Sequence, residues 1–237
     1  SDLDVAPNLV KLSDTTPWRS VMRYQHIYAF ILYALTSIHW VFIKDYKKFF
    51  ETRIASTENS NHPKVEYFNL FFFKVLYYAL FIVAPLALTE IAWWQFMIGF
   101  VLMHVAEGAG LGLVFQLAHV VEGTEFPEPN AEGHIDSCWF EHQMLTTANF
   151  GRNSGLTTFL CGGLNYQIEH HLFPHICHIH YPAISEIVRE TALSYNLPYH
   201  ENESWALALK SHYRMLKAFG QEVKVQEIKD TYKNHTD

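Results

Sequence analysis

The sequence has little cysteine and no concentrated positive charge, and each shortage excludes a class of protein. Three cysteines occur in 237 residues, and they form no CxxC pair. A disulfide framework is therefore not expected, which fits a reducing compartment. The formal net charge is −7 and no run of lysine and arginine occurs, so nothing in the composition favours a nucleic acid as a partner.

Charge is also nearly absent from two long apolar runs. Hydrophobic residues make up 49% of the sequence, yet its mean hydropathy is only −0.02 because charged residues gather elsewhere. Apolar residues cover 70–88 and 96–118, and each run is close to the ~20 residues that a membrane-spanning helix needs. The turn between them has no positive residue and is followed by Trp93 and Trp94, which are typical interfacial anchors. These runs predict two transmembrane helices.

A third apolar run, over 27–43, is barely long enough to span. Positive residues flank it on both sides, with Arg19 and Arg23 before it and Lys44 and Lys47 after it. Because positive loops stay in the cytoplasm, both ends of the run are expected there, and the run then lies in the interface or re-enters the membrane. If the run over 27–43 crossed the membrane fully, residue 1 and the histidine-rich stretch 162–182 would lie on opposite faces of the membrane.

The predicted fold class is therefore all-α integral membrane, with two transmembrane helices and one interfacial or re-entrant apolar segment. A cytoplasmic helical cap is expected over 119–237. Within it, the sequence predicts two helices over 183–195 and 204–219, from their mixed charge and helical periodicity. The alternative is that the apolar runs are core helices of a soluble bundle.

Histidine is concentrated between residues 162 and 182, where five imidazoles occur: His170, His171, His175, His178 and His180. A buried imidazole needs partners for two nitrogens, so this density is more typical of binding a borderline metal than of packing. A surface histidine cluster is the alternative. Neighbouring helical residues point about 100° apart, so His170 and His171 are expected to serve one ion each of an adjacent pair.

Three further residues in this stretch are candidates to bind the metal or to orient an imidazole. Gln167 precedes the histidine pair by three and four residues, which places it on the same helical face. His175 and His178 follow at one-turn intervals if a new helix begins at Pro174. All three could be weak ligands or hydrogen-bonding partners of the ligands.

The octapeptide Gln-Ile-Glu-His-His-Leu-Phe-Pro at 167–174 resembles the third histidine box of front-end fatty acyl desaturases, in which glutamine replaces the first histidine of the usual His-x-x-His-His. The Gly-Gly-Leu-Asn before it and the His-Ile-His-Tyr-Pro after it resemble the linoleoyl-CoA-desaturase-like branch of that family. The segment 2–7 is similar to the one that follows the family's second box. The resemblance covers nearly the whole chain.

The resemblance implies more histidine ligands than the sequence contains. The family's first two boxes are expected before residue 1, since no matching spacing occurs in the N-terminal half. We therefore expect residues 1–237 to be the C-terminal part of a single desaturase domain. We also expect this part alone to bind at most one metal ion and to be inactive.

One ligand is implied outside the histidine-rich stretch. The family places a histidine ligand at the end of a spanning helix, and His119 stands at a comparable position, so the resemblance implies His119, His170 and His171 as metal ligands. Gln116, one turn before His119, is expected to support it. His142 lies in a family-like segment and has three open interpretations: a ligand, a residue on the electron path, or a structural group.

The resemblance implies an oxygen-dependent desaturase in which two iron ions activate dioxygen, with an acyl substrate carried on CoA, a carrier protein or a lipid. No flavin motif occurs, and His62-Pro63-Lys64 is not a haem-binding His-Pro-Gly-Gly, so a separate ferredoxin or cytochrome b5 is expected as electron donor. The site is expected on the cytoplasmic face of the bacterial inner membrane, or of the endoplasmic reticulum in a eukaryote. Alternatives are a di-iron hydroxylase and a non-catalytic membrane metal-binding protein.

Other polar or small residues have less specific interpretations. His104 and Glu107, one turn apart in the second span, are expected to bond each other or to line a substrate channel. The glycine-rich stretch 108–112 follows no strand, so close helix packing explains it better than a nucleotide-binding loop. Three isolated histidines are expected to be solvated: His200, His212 and His235.

Overall fold

The computed structural model describes residues 9–12, 16–54, 57–59, 61–127, 130, 134, 135 and 137–221, and it is mostly helical. Two compact units divide the chain. The apolar unit is Tyr33–Gly110, and the histidine unit combines Ser1–Leu32 with Leu111–Asp237. The family-like segment 2–7 and His235 lie outside the described residues.

The apolar unit contains the first predicted span and most of the second. Helix α3 covers Lys64–Leu88, and helix α4 covers Trp93–His119 and continues into the histidine unit; each is long and apolar enough to cross a membrane. Both are longer than the apolar runs that predict them. Within α3, the turn Ala79–Val83 is π-helical and ends two residues before Pro85, which cannot donate to the helical ladder.

The third apolar run is helical on both sides of a break at Leu35. A 3-10 turn, Ser20–Tyr24, leads into helix α1, Gln25–Ala34, and helix α2 covers Thr36–Phe50. The two segments pass as a span only together, and the chain bends by 56° at the break. A bend of this kind suits either a broken span or a re-entrant segment, so the choice between them stays a prediction. A two-residue hairpin, Arg53–Ile54 with Thr57–Glu58, follows α2.

Close packing at Gly108 confirms one interpretation of the glycine-rich stretch. A Cβ at this position would lie 2.5 Å from the carbonyl oxygen of Ala34, so no residue but glycine fits without a shift of the backbone. The same is not true of Gly110, where a Cβ would meet open space.

A polar network joins three segments of the apolar unit around the fully buried His104. Its Nε2 lies 2.7 Å from the hydroxyl of Tyr77, and its Nδ1 lies 2.8 Å from Oγ of Ser37, which in turn donates to Glu107 at 2.6 Å. His104 and Glu107 are 3.7 Å apart and are therefore bridged by Ser37 rather than bonded directly. The network gives both nitrogens of a buried imidazole a partner, as a polar group within apolar helices requires.

The histidine unit is built from short helices and one short parallel strand pair. The first three helices after α4 are α5, Trp139–Thr146, α6, Gly155–Leu160, and α7, Gln167–Leu172. They are followed by α8, Tyr181–Ser194, and α9, Trp205–Gly220, which confirm the two helices predicted over 183–195 and 204–219. Strand Asn149–Phe150 pairs with Glu201–Asn202. One buried cluster joins the end of α4 to this unit: Leu117, Ala118, Phe150, Cys161 and Ala208.

His212 is buried, so the expectation that it is solvated is wrong. It has no exposed surface, and its Nδ1 donates to the carbonyl of Val120 at 2.7 Å. Val120 directly follows α4, where backbone carbonyls lack helical partners. Burial lowers the pKa of His212 to about 4. His200 is also largely enclosed, and burial lowers its pKa too.

We expect His212 to destabilise the chain as the pH falls. Its folded pKa lies below its unfolded value, so between about pH 6.5 and about pH 4 the unfolded state binds a proton that the folded state does not; the cost reaches about 2 kcal/mol by about pH 5. His212→Asn keeps an N–H near the Val120 carbonyl and does not titrate. The melting temperature in detergent should therefore fall more between pH 7 and pH 5 in the wild type than in His212→Asn, and equal falls would contradict the assignment.

Candidate metal centre

Three of the predicted site residues meet at the end of α4. His119 is the last residue of that helix, and Gln167 and His171 lie one turn apart on α7. Nε2 of Gln167 is 3.5 Å from Nε2 of His119 and 3.1 Å from Nε2 of His171. The centroids of the two imidazole rings are 5.0 Å apart. We call these three residues the ligand cluster.

The outer nitrogen of each imidazole in the cluster faces a protein oxygen. Nδ1 of His119 lies 3.2 Å from the carbonyl oxygen of Thr146, and Nδ1 of His171 lies 2.8 Å from Oε1 of Gln143. These oxygens only accept, so each Nδ1 carries the hydrogen and each Nε2 carries the lone pair. This is the tautomer that binds a metal through Nε2, with the ring orientation fixed from behind.

Gln167 leaves one buried polar atom without a partner. The residue is only 2% exposed, and its Oε1 accepts no hydrogen bond, while Nε2 faces the two imidazoles. An unsatisfied buried carbonyl costs about 1–3 kcal/mol, so such an atom needs an explanation. A half-turn of the amide would direct this oxygen toward the same point as the two lone pairs. Two imidazole nitrogens and an amide oxygen suit a borderline divalent cation such as iron.

His170 stands beside the cluster but points elsewhere. Its ring centroid is 5.8 Å from that of His171, the two planes are nearly perpendicular, and its Nδ1 lies 3.4 Å from the hydroxyl of Tyr181. Among the residues that the structure describes, no three His, Cys, Asp or Glu side chains are close enough to hold one ion. That His170 serves a second ion, as the helical spacing predicts, stays a prediction.

Two further candidate site residues also have a buried polar atom without a hydrogen-bond partner. Oε1 of Gln116, a residue one turn before His119, is buried without a hydrogen-bond partner. Nδ1 of His142, which precedes Gln143 on α5, is buried without a partner as well. The three possible roles of His142 therefore remain open, and the supporting role of Gln116 stays a prediction.

The expected helical register of His175 and His178 is wrong. No helix begins at Pro174; the chain makes a turn, then a 3-10 helix at His178–His180, and α8 begins only at Tyr181. The residue before a proline is pushed out of the helical region, and α7 accordingly ends at Leu172. Both histidines are exposed, so α7 does not carry them toward the ligand cluster.

A buried hydrogen-bond group holds α7 from the side opposite the ligands. Nδ2 of Asn149 donates to Glu169 at 2.8 Å, the hydroxyl of Tyr199 donates to the same carboxylate at 2.9 Å, and the N–H of Ile168 donates to Oδ1 of Asn149. Burial raises the pKa of Glu169, and these hydrogen bonds oppose the rise. We call Asn149, Glu169 and Tyr199 the α7 clamp.

The clamp and Gln143 contact the candidate site, and the sequence does not single them out. Asn149 and Tyr199 lie 20 and 30 residues from Glu169, and Gln143 lies 28 residues from His171. No periodicity or motif links positions so far apart. The one available signal is Glu169 itself, because a carboxylate that becomes buried needs hydrogen-bond donors from elsewhere in the chain.

A sequence profile described as fatty acid desaturase matches residues 1–203. The chain belongs to the fatty acid desaturase family. It is 34% identical over 215 residues to the acyl-lipid (8-3)-desaturase of Physcomitrium patens, covering 90% of this chain and 44% of that protein. It is also 34% identical to the sn-1 linoleoyl-lipid 6-desaturase of Arthrospira platensis, covering 88% and 56%.

A third desaturase, the sn-1 linoleoyl-lipid 6-desaturase of Synechocystis sp., is 32% identical over 89% of this chain and 59% of its own length. These relatives confirm the resemblance to front-end desaturases. This desaturase-family chain spans about half the length of the curated relatives that it matches. No solved structure matches it.

Proposed function

We propose that this desaturase-family chain takes part in oxygen-dependent desaturation of fatty acyl chains, with iron held by His119, His170 and His171. The observation that carries the proposal is the ligand cluster, in which two Nε2 lone pairs converge beside the unpartnered amide oxygen of Gln167. The names of the relatives support the reaction class.

The residues of the chain have separable tasks in this proposal. Gln143 and the Thr146 carbonyl hold the imidazoles in the metal-binding tautomer. The α7 clamp fixes the rotation of the helix that carries His170 and His171. Iron, when bound, supplies with dioxygen the oxidant for removing hydrogen from an unactivated methylene.

The membrane arrangement is part of the proposal. α3 and α4 cross the bilayer, the bent pair α1 and α2 lies in the interface or re-enters the bilayer, and residues 119–237 form the cytoplasmic cap. His119, as the last residue of a helix of spanning length, then lies where a ligand reaches α7 without entering lipid. Because the relatives named above act on acyl-lipids, a lipid-linked acyl chain is the favoured substrate, with ferredoxin or cytochrome b5 as electron donor.

The test is to express the complete gene product in membranes of a host that lacks the activity, and to measure bound iron and acyl products with and without oxygen. We expect about two iron ions per chain and an oxygen-dependent unsaturated product. A hydroxylated product would show that the reaction is hydroxylation and not desaturation. Bound zinc in place of iron, without turnover, would refute an enzymatic function and favour a non-catalytic metal-binding protein.

A further inference from the structure

Helix α6 exposes an unusual amount of apolar surface. Leu156, Phe159 and Leu160 are 68%, 81% and 71% exposed. Their spacing of three and four residues places them on one face, which we call the α6 face. No charged residue occurs from Asn153 to Ile168. A helix on a water-facing surface normally carries charged residues. Leaving three large apolar side chains in water forgoes several kcal/mol of transfer free energy, so water is an unfavourable surrounding for the α6 face.

The packing of Cys161, the residue after α6, fixes the position of α6 along the length of α4. Cys161, directly after α6, is buried in the cluster with Leu117 and Ala118, and Val114 packs against the same cluster. α4 has 27 residues, so it is about 40 Å long, about 10 Å more than the hydrocarbon layer. Counted from the interfacial Trp93, the hydrocarbon ends after about 20 residues, close to Val114.

Several polar groups of α6 form hydrogen bonds within the histidine unit. Oγ of Ser154 accepts from the N–H of Thr157 and caps the helix, and the hydroxyl of Thr158 donates to the carbonyl of Ser154. Nδ2 of Asn165 bonds the hydroxyl of Thr158 at 3.2 Å. The three side chains of the α6 face are apolar, so their transfer into lipid buries no side-chain hydrogen-bonding group of their own.

We propose that α6 is an interfacial anchor, and that the α6 face lies among the acyl chains of the leaflet next to the histidine unit. The occupant of this face is a lipid surface, because Cys161, directly after α6, packs against Leu117 and Ala118 of a spanning-length helix, close to the level where the hydrocarbon ends. The anchor rests on the membrane arrangement proposed above, in which α4 crosses the bilayer, and on the packing of α6, but not on iron or on turnover.

The anchor also sets the height of the ligand cluster above the bilayer. Only the turn 161–166 separates α6 from α7, and Gly162 and Gly163 adopt positive φ angles of 58° and 82° in it. A Cβ on Gly163 would lie 2.6 Å from Cβ of His178, so the turn is packed tightly against the segment that follows α7. A shift of α6 relative to the lipid is therefore transmitted to Gln167 and His171.

The test is the local environment of a spin label on the α6 face. Phe159→Cys is introduced with Cys138→Ser and Cys177→Ser, which remove the two exposed cysteines, while the buried Cys161 is kept. The complete gene product is labelled in vesicles of phosphatidylcholine and phosphatidylglycerol. The collision rate with oxygen, which concentrates in lipid, is compared with that of a water-soluble nickel chelate.

Ile187→Cys is the matched control, because Ile187 is 65% exposed on α8 and the charged residues Glu186 and Arg189 nearby are also exposed. We expect the ratio of oxygen to nickel collisions to be several-fold higher at residue 159 than at residue 187. Equal ratios would place the α6 face in water and overturn the anchor.

Protection of residue 159 from both reagents would also overturn the anchor, since protein would then cover the face. Leu160→Cys provides the same comparison if Phe159→Cys fails to fold. Iron content and unsaturated product are separate measurements, so a failure of the anchor is distinguishable from a failure of the proposed function.

Discussion

His171→Ala is expected to abolish the unsaturated acyl product and to lower the bound iron. The substitution removes one of the two Nε2 atoms that face Gln167, and it leaves Oε1 of Gln143 without its donor. Loss of a group that merely orients a ligand costs about 10–100-fold in metal affinity or activity, so loss of the ligand itself should cost more. Product analysis and metal analysis of the same membranes measure both effects.

His175→Ala is the matched control, because His175 is exposed and lies only four residues from His171. It should retain both iron and product. Gln143→Leu provides an intermediate step: it leaves Nε2 of His171 in place but removes the oxygen that fixes its tautomer. Normal iron and product in His171→Ala would refute the ligand assignment.

The spans could be predicted because their signal is local, whereas the break between α1 and α2 could not. Apolar residues over 70–88 and 96–118 mark two helices directly, although both helices extend beyond these runs. The run over 27–43 shows no proline or glycine at the break. The break becomes understandable only with the structure, where Ser37 bonds His104 and Glu107 in the apolar unit.

The site was predictable where residues are close in sequence. The spacing of Gln167 and His171 places them on one face of α7, as observed. His119 came from the resemblance alone, since one histidine at a helix end is no motif. Gln143 and Asn149 reach α7 through tertiary packing, and their distance along the chain conceals them.

The burial of His212 can be predicted from the helical periodicity of α9. Ala208, Met215, Leu216 and Phe219 recur with helical periodicity in α9, and His212 shares their face. An isolated histidine on an apolar face is more often buried and hydrogen-bonded than solvated, and its bond to Val120 follows that pattern. The period of the helix, and not the isolation of the histidine, was the informative signal.

Asn149→Leu is expected to destabilise the chain by about 3–5 kcal/mol. Asn149 is fully buried, and its amide bonds Glu169, Tyr199 and the N–H of Ile168. Leucine has similar volume but bonds none of them, so a buried carboxylate loses a donor and a buried N–H loses its acceptor. Unfolding in detergent, followed by heat or denaturant, measures the loss.

The same substitution tests whether the clamp acts on the metal. Asn149→Leu removes no ligand, yet it frees the side of α7 opposite to Gln167 and His171, so metal affinity should fall about 10–100-fold even at a temperature where the chain stays folded. Asn153→Leu, at an exposed position four residues further on, is the control and should change neither quantity. Lower stability with unchanged metal affinity would make the clamp a purely structural group, because the ligand cluster would then hold its geometry without it.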